Sequence, residues 1–261
     1  MSDILLRADA DGITTLTLND PGTLNSLSDA MLAALRDQLS DISEGSSRVV
    51  VLRAAGRAFC AGHNLREMQD MRQHEDGGAA AFGDLFDRCS AVMTAIQTLP
   101  QPVIARVHGL ATAAGCQLVA TCDMAIASQD AEFGVNGVDI GLFCSTPMVA
   151  LTRNVGRKRA FEMLSTGAFL TAPEAVAAGL VNRAVPQSAL DDAVAAISRK
   201  VAEKLSTAVR IGKGVFHAQA ELPVEAAYHL TRDAMVANLA DDDTAEGIQA
   251  FLEKRAPRWT Q

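Results

Sequence analysis

The sequence predicts an α/β fold, and three observations carry that prediction. Short β-branched runs recur through the first half, at 49–53 (VVVLR), 103–107 (VIARV) and 124–127 (MAIA). Between them lie stretches with apolar residues at helical spacing, over 27–42 and 79–98. From about residue 145 onward the pattern becomes almost wholly helical. Strands alternating with helices imply right-handed βαβ crossovers and a largely parallel sheet, because each crossover helix must pack back onto the sheet it left. The chain therefore divides into a core over 1–190 and a helical region over 191–261 of the kind that makes contacts between subunits.

Each element has its own signal. Residues 13–18 (ITTLTL) alternate in part and read as a first strand. Leu27, Met31, Leu32, Leu35, Leu39 and Ile42 form one helical stripe, with Ser28 as its N-cap. After the buried strand at 49–53, a second stripe of Phe82, Leu85, Phe86, Cys89, Met93 and Ile96 marks a helix over 79–98, which Gln101-Pro102 ends. A strand at 103–107 follows, then a small, apolar segment at 109–121 and a strand at 124–127. Helices are expected over 145–153, 157–165, 172–178, 188–205, 206–219, 223–239 and 241–253, interrupted only by a strand at 180–185 (LVNRAV). Ser145 is the expected cap of the first of these, with Pro147 in its first turn. The run Asp241-Asp242-Asp243 before Thr244 reads as the start of the last, where carboxylates favour the helix dipole.

Composition narrows the function classes. At 261 residues, 49% hydrophobic and 21% charged, the chain is a folded domain rather than a disordered one. A net charge of −8 makes it a poor partner for nucleic acid or an anionic membrane, so an anionic ligand needs a local basic pocket. Cys60, Cys89, Cys116, Cys122 and Cys144 are odd in number and form no CxxC pair, which argues for small buried thiols rather than disulfides or a zinc site. The opening MSDILLRADADG lacks a basic region followed by a long apolar one, and no apolar run reaches membrane-spanning length. A cytoplasmic protein without a membrane span is the expectation. Neither GxGxxG nor GxSxG occurs. His63 and Glu67 stand four apart and could share a helix face, but no third ligand accompanies them, so no metal site is expected.

Two loops carry the chemistry. Arg57-Ala-Phe-Cys-Ala-Gly-His-Asn-Leu65 follows the first buried strand, and His108-Gly-Leu-Ala-Thr-Ala-Ala-Gly-Cys-Gln-Leu118 follows the second. Both put small residues at the carboxyl end of a strand, where ligands of parallel sheets bind. A helix start there leaves N–H groups unpaired. Two such groups converging on one oxygen would form an oxyanion hole, in which a single donor is worth on the order of 3 kcal/mol of barrier.

At these residues the sequence resembles the crotonase (enoyl-CoA hydratase/isomerase) superfamily. RAFCAGHNLREM resembles its first signature and GLATAAGCQLVATCDMAIAS its second. PGTLNSLSDAM, FGVNGVDIGL, LTRNVGRKRAFEMLSTG and TAPEAVAAGLVNRAVP match in order, over roughly residues 19–186. The resemblance implies a spiral of ββα units with a C-terminal helical trimerisation region, a homotrimer or hexamer, and a coenzyme A thioester as substrate or ligand with no prosthetic group. It places the two oxyanion amides on His63 and Ala114, whose N–H groups any non-proline residue supplies. It places Arg57 near the CoA phosphates, with Ala58 and Ala61 in the same loop. Leu65 and Met68, with the apolar residues after Ala81, border the acyl chain. Lys213 is either a phosphate contact across a subunit interface or a solvated helix lysine.

The sequence departs from the family where its hydratases carry two glutamates. Gln117 stands at the first position, and an amide binds water but cannot take its proton. Gly137, at the second, has no side chain. Asp139, in an extended segment, would reach the same side about 6–7 Å further on. It serves either a differently placed proton or a local backbone bond. The His63 imidazole is either an acid–base group or a wall of the ligand pocket. Cys144 and Ser145 have no paired base to make either a nucleophile. Glutamates at 117 and 137 together are expected to raise hydration of a short enoyl-CoA. Two functions follow: an acyl-CoA lyase, isomerase, decarboxylase or thioester hydrolase using other residues, or a non-catalytic acyl-CoA binding or carrier protein.

Overall fold

The computed structural model describes residues 3–260. The chain opens with β1 (Leu5–Ala10), β2 (Ile13–Leu18), α1 (Asp29–Glu44), β3 (Val49–Ala54), β4 (Ala58–Cys60), α2 (Leu65–Met71) and α3 (Ala79–Thr98). Next come β5 (Val103–Val107), β6 (Leu110–Thr112), α4 (Ala114–Thr121), β7 (Met124–Ser128), β8 (Glu132–Gly134) and a 3-10 turn at Gly137–Ile140. Then follow α5 (Pro147–Asn154), α6 (Arg157–Thr166), β9 (Leu170–Thr171), α7 (Ala172–Ala178), β10 (Arg183–Val185) and α8 (Leu190–Ala202). The chain ends with α9 (Ser206–Gln219), α10 (Val224–Leu239) and α11 (Asp242–Leu252).

The strands form a six-stranded sheet in the order β1-β2-β3-β5-β7-β10 and a four-stranded sheet in the order β4-β6-β8-β9. β1 and β2 are an antiparallel hairpin closed by Asp11 and Gly12, both at positive φ (51° and 74°), as a tight two-residue hairpin turn requires. The remaining pairs of the large sheet are parallel. β3, β5 and β7 each lay one strand in the large sheet and are followed by a short strand in the small one (β4, β6, β8) and then by helices. This is the ββα spiral that the resemblance implied.

The central strands are buried on both faces, as parallel strands between helices must be. Along β3, Val50 and Leu52 face the large core beneath α1 and α3. Val49 and Val51 face the opposite side, where Ile104, Ile126 and α8 residues Leu190 and Val194 cover them.

Most strands and helices lie where the periodicity puts them. α1 starts at the expected cap, with Met31 N donating to Ser28 Oγ at 3.2 Å, and Thr244 N donates to Asp241 Oδ1 at 3.2 Å at the head of α11. Ser145, however, does not cap α5. Thr146 precedes that helix in helical conformation without a side-chain bond, and Ser145 Oγ reaches Phe143 O instead, at 3.4 Å. Pro147 in the first turn removes an N–H that a cap would have served. β1 escapes the sequence because it is an edge strand with five exposed residues, held by pairing rather than by an apolar face. β4, β8 and β9 are too short to show a period. All five cysteines are free and buried. Burial pushes the thiols of Cys60, Cys89 and Cys116 up to about 12, which keeps them protonated and unreactive. Among the described residues no helix is long and apolar enough to cross a membrane.

Candidate functional site

The two loops singled out by the sequence leave adjacent strand ends in the same direction, because β4 and β6 are parallel neighbours pairing Ala58 with Leu110 and Cys60 with Ala111. They then pack tightly. A Cβ on Gly62 would stand 2.9 Å from Ala113 Cβ and 3.2 Å from Ala114 N, and a Cβ on Gly115 would stand 2.1 Å from Cys60 O. Only glycine permits either approach, and Gly62 also sits at φ +89°. Ala113 adopts φ 49° and ψ −121°, a conformation costing an L residue on the order of 1–3 kcal/mol. Its N–H is anchored on Gly134 O at 2.9 Å. The α4 ladder begins with Gln117 N on Ala113 O at 3.0 Å, so the Ala114 N–H, at the first helical position, has no partner within the helix.

Residue 63 is held from the other side by the 20–27 segment. Leu24 and Asn25 both take positive φ (59° and 55°). Buried Asn25 donates from Nδ2 to Ala55 O (2.7 Å) and Ala58 O (2.9 Å) and accepts from Asp20 N (2.9 Å). Ala61 N then donates to Leu24 O at 3.1 Å, and Leu27 N to Gly62 O at 2.8 Å. Asn25 was not singled out from the sequence. Its signal was an Asn inside PGTLNS, since Asn tolerates left-handed backbone and bonds it locally.

The His63 ring packs edge-on against Phe86, with centroids 5.6 Å apart. Nδ1 lies 3.5 Å from Leu27 O, and Nε2 is buried without a partner among the described residues. Burial, reinforced by the nearby Arg88 cation, holds this imidazole below its ordinary pKa of 6.5 and therefore neutral at pH 7. His63 does not share a helix face with Glu67, since it precedes α2. Glu67 Oε1 accepts from Asn64 Nδ2 at 3.0 Å and Oε2 from Asp29 N at 2.9 Å.

Gln117 is 5% exposed, and its Oε1 has no partner among the described residues. Gly137 is closed in. A Cβ there would stand 2.2 Å from Leu142 O and 2.9 Å from Cys144 Sγ. The loop at 142–144 fills the space through which a side chain at 137 would pass, which counts against the expectation that glutamates at 117 and 137 together raise hydration. Asp139 also departs from its reading. It lies in a 3-10 turn, not an extended segment, so strand alternation does not place it. Exposed Asp139 Oδ2 accepts from Asn136 Nδ2 at 3.3 Å, and its carboxylate abuts Gly167.

Of the residues the resemblance assigned to coenzyme A, Arg57 is exposed with no ion pair among the described residues, and Leu65 is 55% exposed. Ala61 is half-buried, Met68 packs on the core, and Ala58 is buried in β4 with its carbonyl held by Asn25. Lys213 is not a solvated lysine. Its ammonium reaches Ile96 O (2.8 Å), Gln101 O (2.9 Å) and Asp123 Oδ2 (2.7 Å), which occupies all three protons and leaves none for a phosphate.

Comparison with known proteins adds an independent line. A family model described as enoyl-CoA hydratase/isomerase matches residues 8–261. The human protein named enoyl-CoA hydratase domain-containing protein 3, mitochondrial, is 45% identical over 251 residues, covering 96% of this chain and 81% of that one. A putative enoyl-CoA hydratase of Thermus thermophilus is 32% identical over 98% of this chain and 100% of its own length. The crystal structure of an enoyl-CoA hydratase from Mycobacterium smegmatis superposes with a TM-score of 0.95 at 53% identity, covering 99% of both chains. The expectation of a cytoplasmic protein is overturned by the human relative and its mouse and Xenopus laevis counterparts, all of which are named mitochondrial. Composition and the opening residues describe a folded core and carry no compartment. With the family model spanning the fold and both loops, the chain belongs to the enoyl-CoA hydratase/isomerase family.

Proposed function

We propose that this chain is an enzyme acting on an acyl-CoA, which holds the thioester carbonyl between the main-chain amides of His63 and Ala114. The observation that carries this reading is the packing of Gly62 against Ala113 and Ala114, which brings the two turns together while the N–H at the start of α4 has no partner within the helix. Such amides stabilise the charge that develops on the oxygen when the thioester becomes an enolate or a tetrahedral adduct. Exposed Arg57 is suited to a CoA phosphate, and Leu65 and Met68 to the acyl chain. Because Gln117 has no basic pKa and Gly137 no side chain, we place the reaction among isomerisation, decarboxylation and thioester hydrolysis rather than in hydration by two glutamates.

The test is Ala114→Pro, which deletes one N–H at the first helical position, where proline is tolerated. Turnover of the best acyl-CoA in a panel read by mass spectrometry should fall about 100-fold or more. Unchanged turnover in a folded variant removes the reading.

A second reading, a non-catalytic acyl-CoA binding or carrier protein, is favoured by the closure around Gly137. It predicts calorimetric binding of an unreactive acyl-CoA with no turnover of any panel member. In both readings we assign 1–190 to the ligand and 191–261 to assembly as a homotrimer or hexamer. That assignment is supported by the exposure of Val224 (73%), Tyr228 (74%) and Phe251 (83%) on the tail helices.

A further inference from the structure

A cavity of about 870 Å³ lies between α3, α4, α5 and α9. Ala114, Gln117, Ala120 and Thr121 fall on one face of α4 at three- and four-residue spacing, and the last three line this cavity. Its near end, at Gln117, therefore lies one turn along α4 from the amide proposed to hold the thioester. From Ala114 to Thr121 the helix rises about 10 Å, the reach of a medium-length acyl chain.

Two hydrogen-bonding atoms of this cavity, on Gln117 and His217, have no partner among the described residues. Near the thioester end, Gln117 Oε1 is a buried acceptor without a partner among the described residues. At the far end, His217 lines the wall with Nε2 3.1 Å from Asp123 Oδ1. Asp123 Oδ2 is fixed by Val103 N and Lys213 Nζ, both at 2.7 Å. The Asp123 carboxylate can only accept, so Nε2 bears a proton and donates, and Nδ1 has no partner among the described residues. No cation is spare. The Lys213 protons are all engaged, and Arg153 lies 3.1 Å from Glu221 at the rim. A carboxylate entering here would meet Asp123 and Glu221, whereas the unpartnered Gln117 Oε1 and His217 Nδ1 suit a neutral hydroxyl, which can both donate and accept.

We infer that this cavity receives the distal part of the acyl chain and selects one bearing a hydroxyl, which forms a hydrogen bond with His217 Nδ1. The inference rests on the acyl-CoA reading above. The test is calorimetry with three stable thioethers, S-ethyl-, S-octyl- and S-(ω-hydroxyoctyl)-coenzyme A. The hydroxyoctyl probe should bind about 10-fold tighter than the octyl probe, and His217→Leu should abolish that ratio. Should the variant not fold, the His217 nitrogen resonances of the native protein serve instead. They should move with the hydroxyoctyl probe and stay in place with the octyl one. Equal affinities, a ratio that survives in His217→Leu, or unmoved resonances overturn the inference. So does binding of S-ethyl-coenzyme A while both long probes are refused, the result expected if a second copy of the chain fills the cavity. Failure of all three probes and of S-acetonyl-coenzyme A, which keeps a carbonyl for the two amides, sinks the acyl-CoA reading itself, whereas binding without a hydroxyl preference sinks only the present inference.

Discussion

Single residues decide what this site can do. The space beside Gly137 is filled from outside. Leu142 O and Cys144 Sγ lie next to the Gly137 Cα, so a side chain at 137 would require the 142–144 loop to move. Gly137→Glu should accordingly cost stability, by about 1–3 kcal/mol as overpacking does, without adding hydratase activity. Denaturant midpoints and enoyl-CoA hydration assays check both halves, and a stable, faster variant would refute the account. His63 supplies a pH dependence. Its folded pKa lies below 6.5, so the unfolded chain takes the proton first as pH falls. Stability rises with pH wherever the unfolded state binds more protons. The contribution of His63 is thus fully present above pH 6.5 and is lost as pH falls through the folded value. NMR should place its titration below 6.5, and His63→Gln should flatten the difference in urea midpoint between pH 7.5 and 5.5. A native His63 titrating at or above 6.5 contradicts this.

At the scale of elements, the site is a junction of three segments. β4 and β6 bring their carboxyl ends side by side, α4 starts against Cys60 O, and the 20–27 segment clamps residues 61–63 from the other side. Asn25 is the pin of that clamp, with three hydrogen bonds to main-chain groups. Asn25→Ala leaves two carbonyls and one amide unsatisfied, and each buried orphan costs about 1–3 kcal/mol. The variant should unfold at lower guanidinium concentration. Any fraction still folded should bind acyl-CoA more weakly, because residue 63 loses its support. Calorimetry showing native affinity in the variant would mean that the clamp does not position the amide.

For the whole molecule, the tail helices pose the open question. α8 is spent covering the sheet, but α10 and α11 leave Tyr228, Met235, Val236, Phe251 and Leu252 exposed. Apolar surface of this kind marks a contact. Tyr228→Glu should therefore lower the mass measured by sedimentation toward the 27.5 kDa of one chain. A native protein that already sediments as a monomer removes the assembly reading.

The sequence by itself determined the α/β class, the helices with strong apolar stripes such as 79–98, and the two loops that meet at the site. These are local properties: a period, a cap or a pair of small residues after a strand is written in neighbouring letters. Only the tertiary structure showed β1, an edge strand without an apolar face, and the role of Asn25, whose partners lie some thirty residues away. It also decided that Gly137 is sealed, that Lys213 is fully engaged, and that Asp123 and His217 stand together at one end of a cavity. Each of these depends on which distant groups share one small volume. Chain spacing does not encode that, because the packing of helices and sheets selects the neighbours.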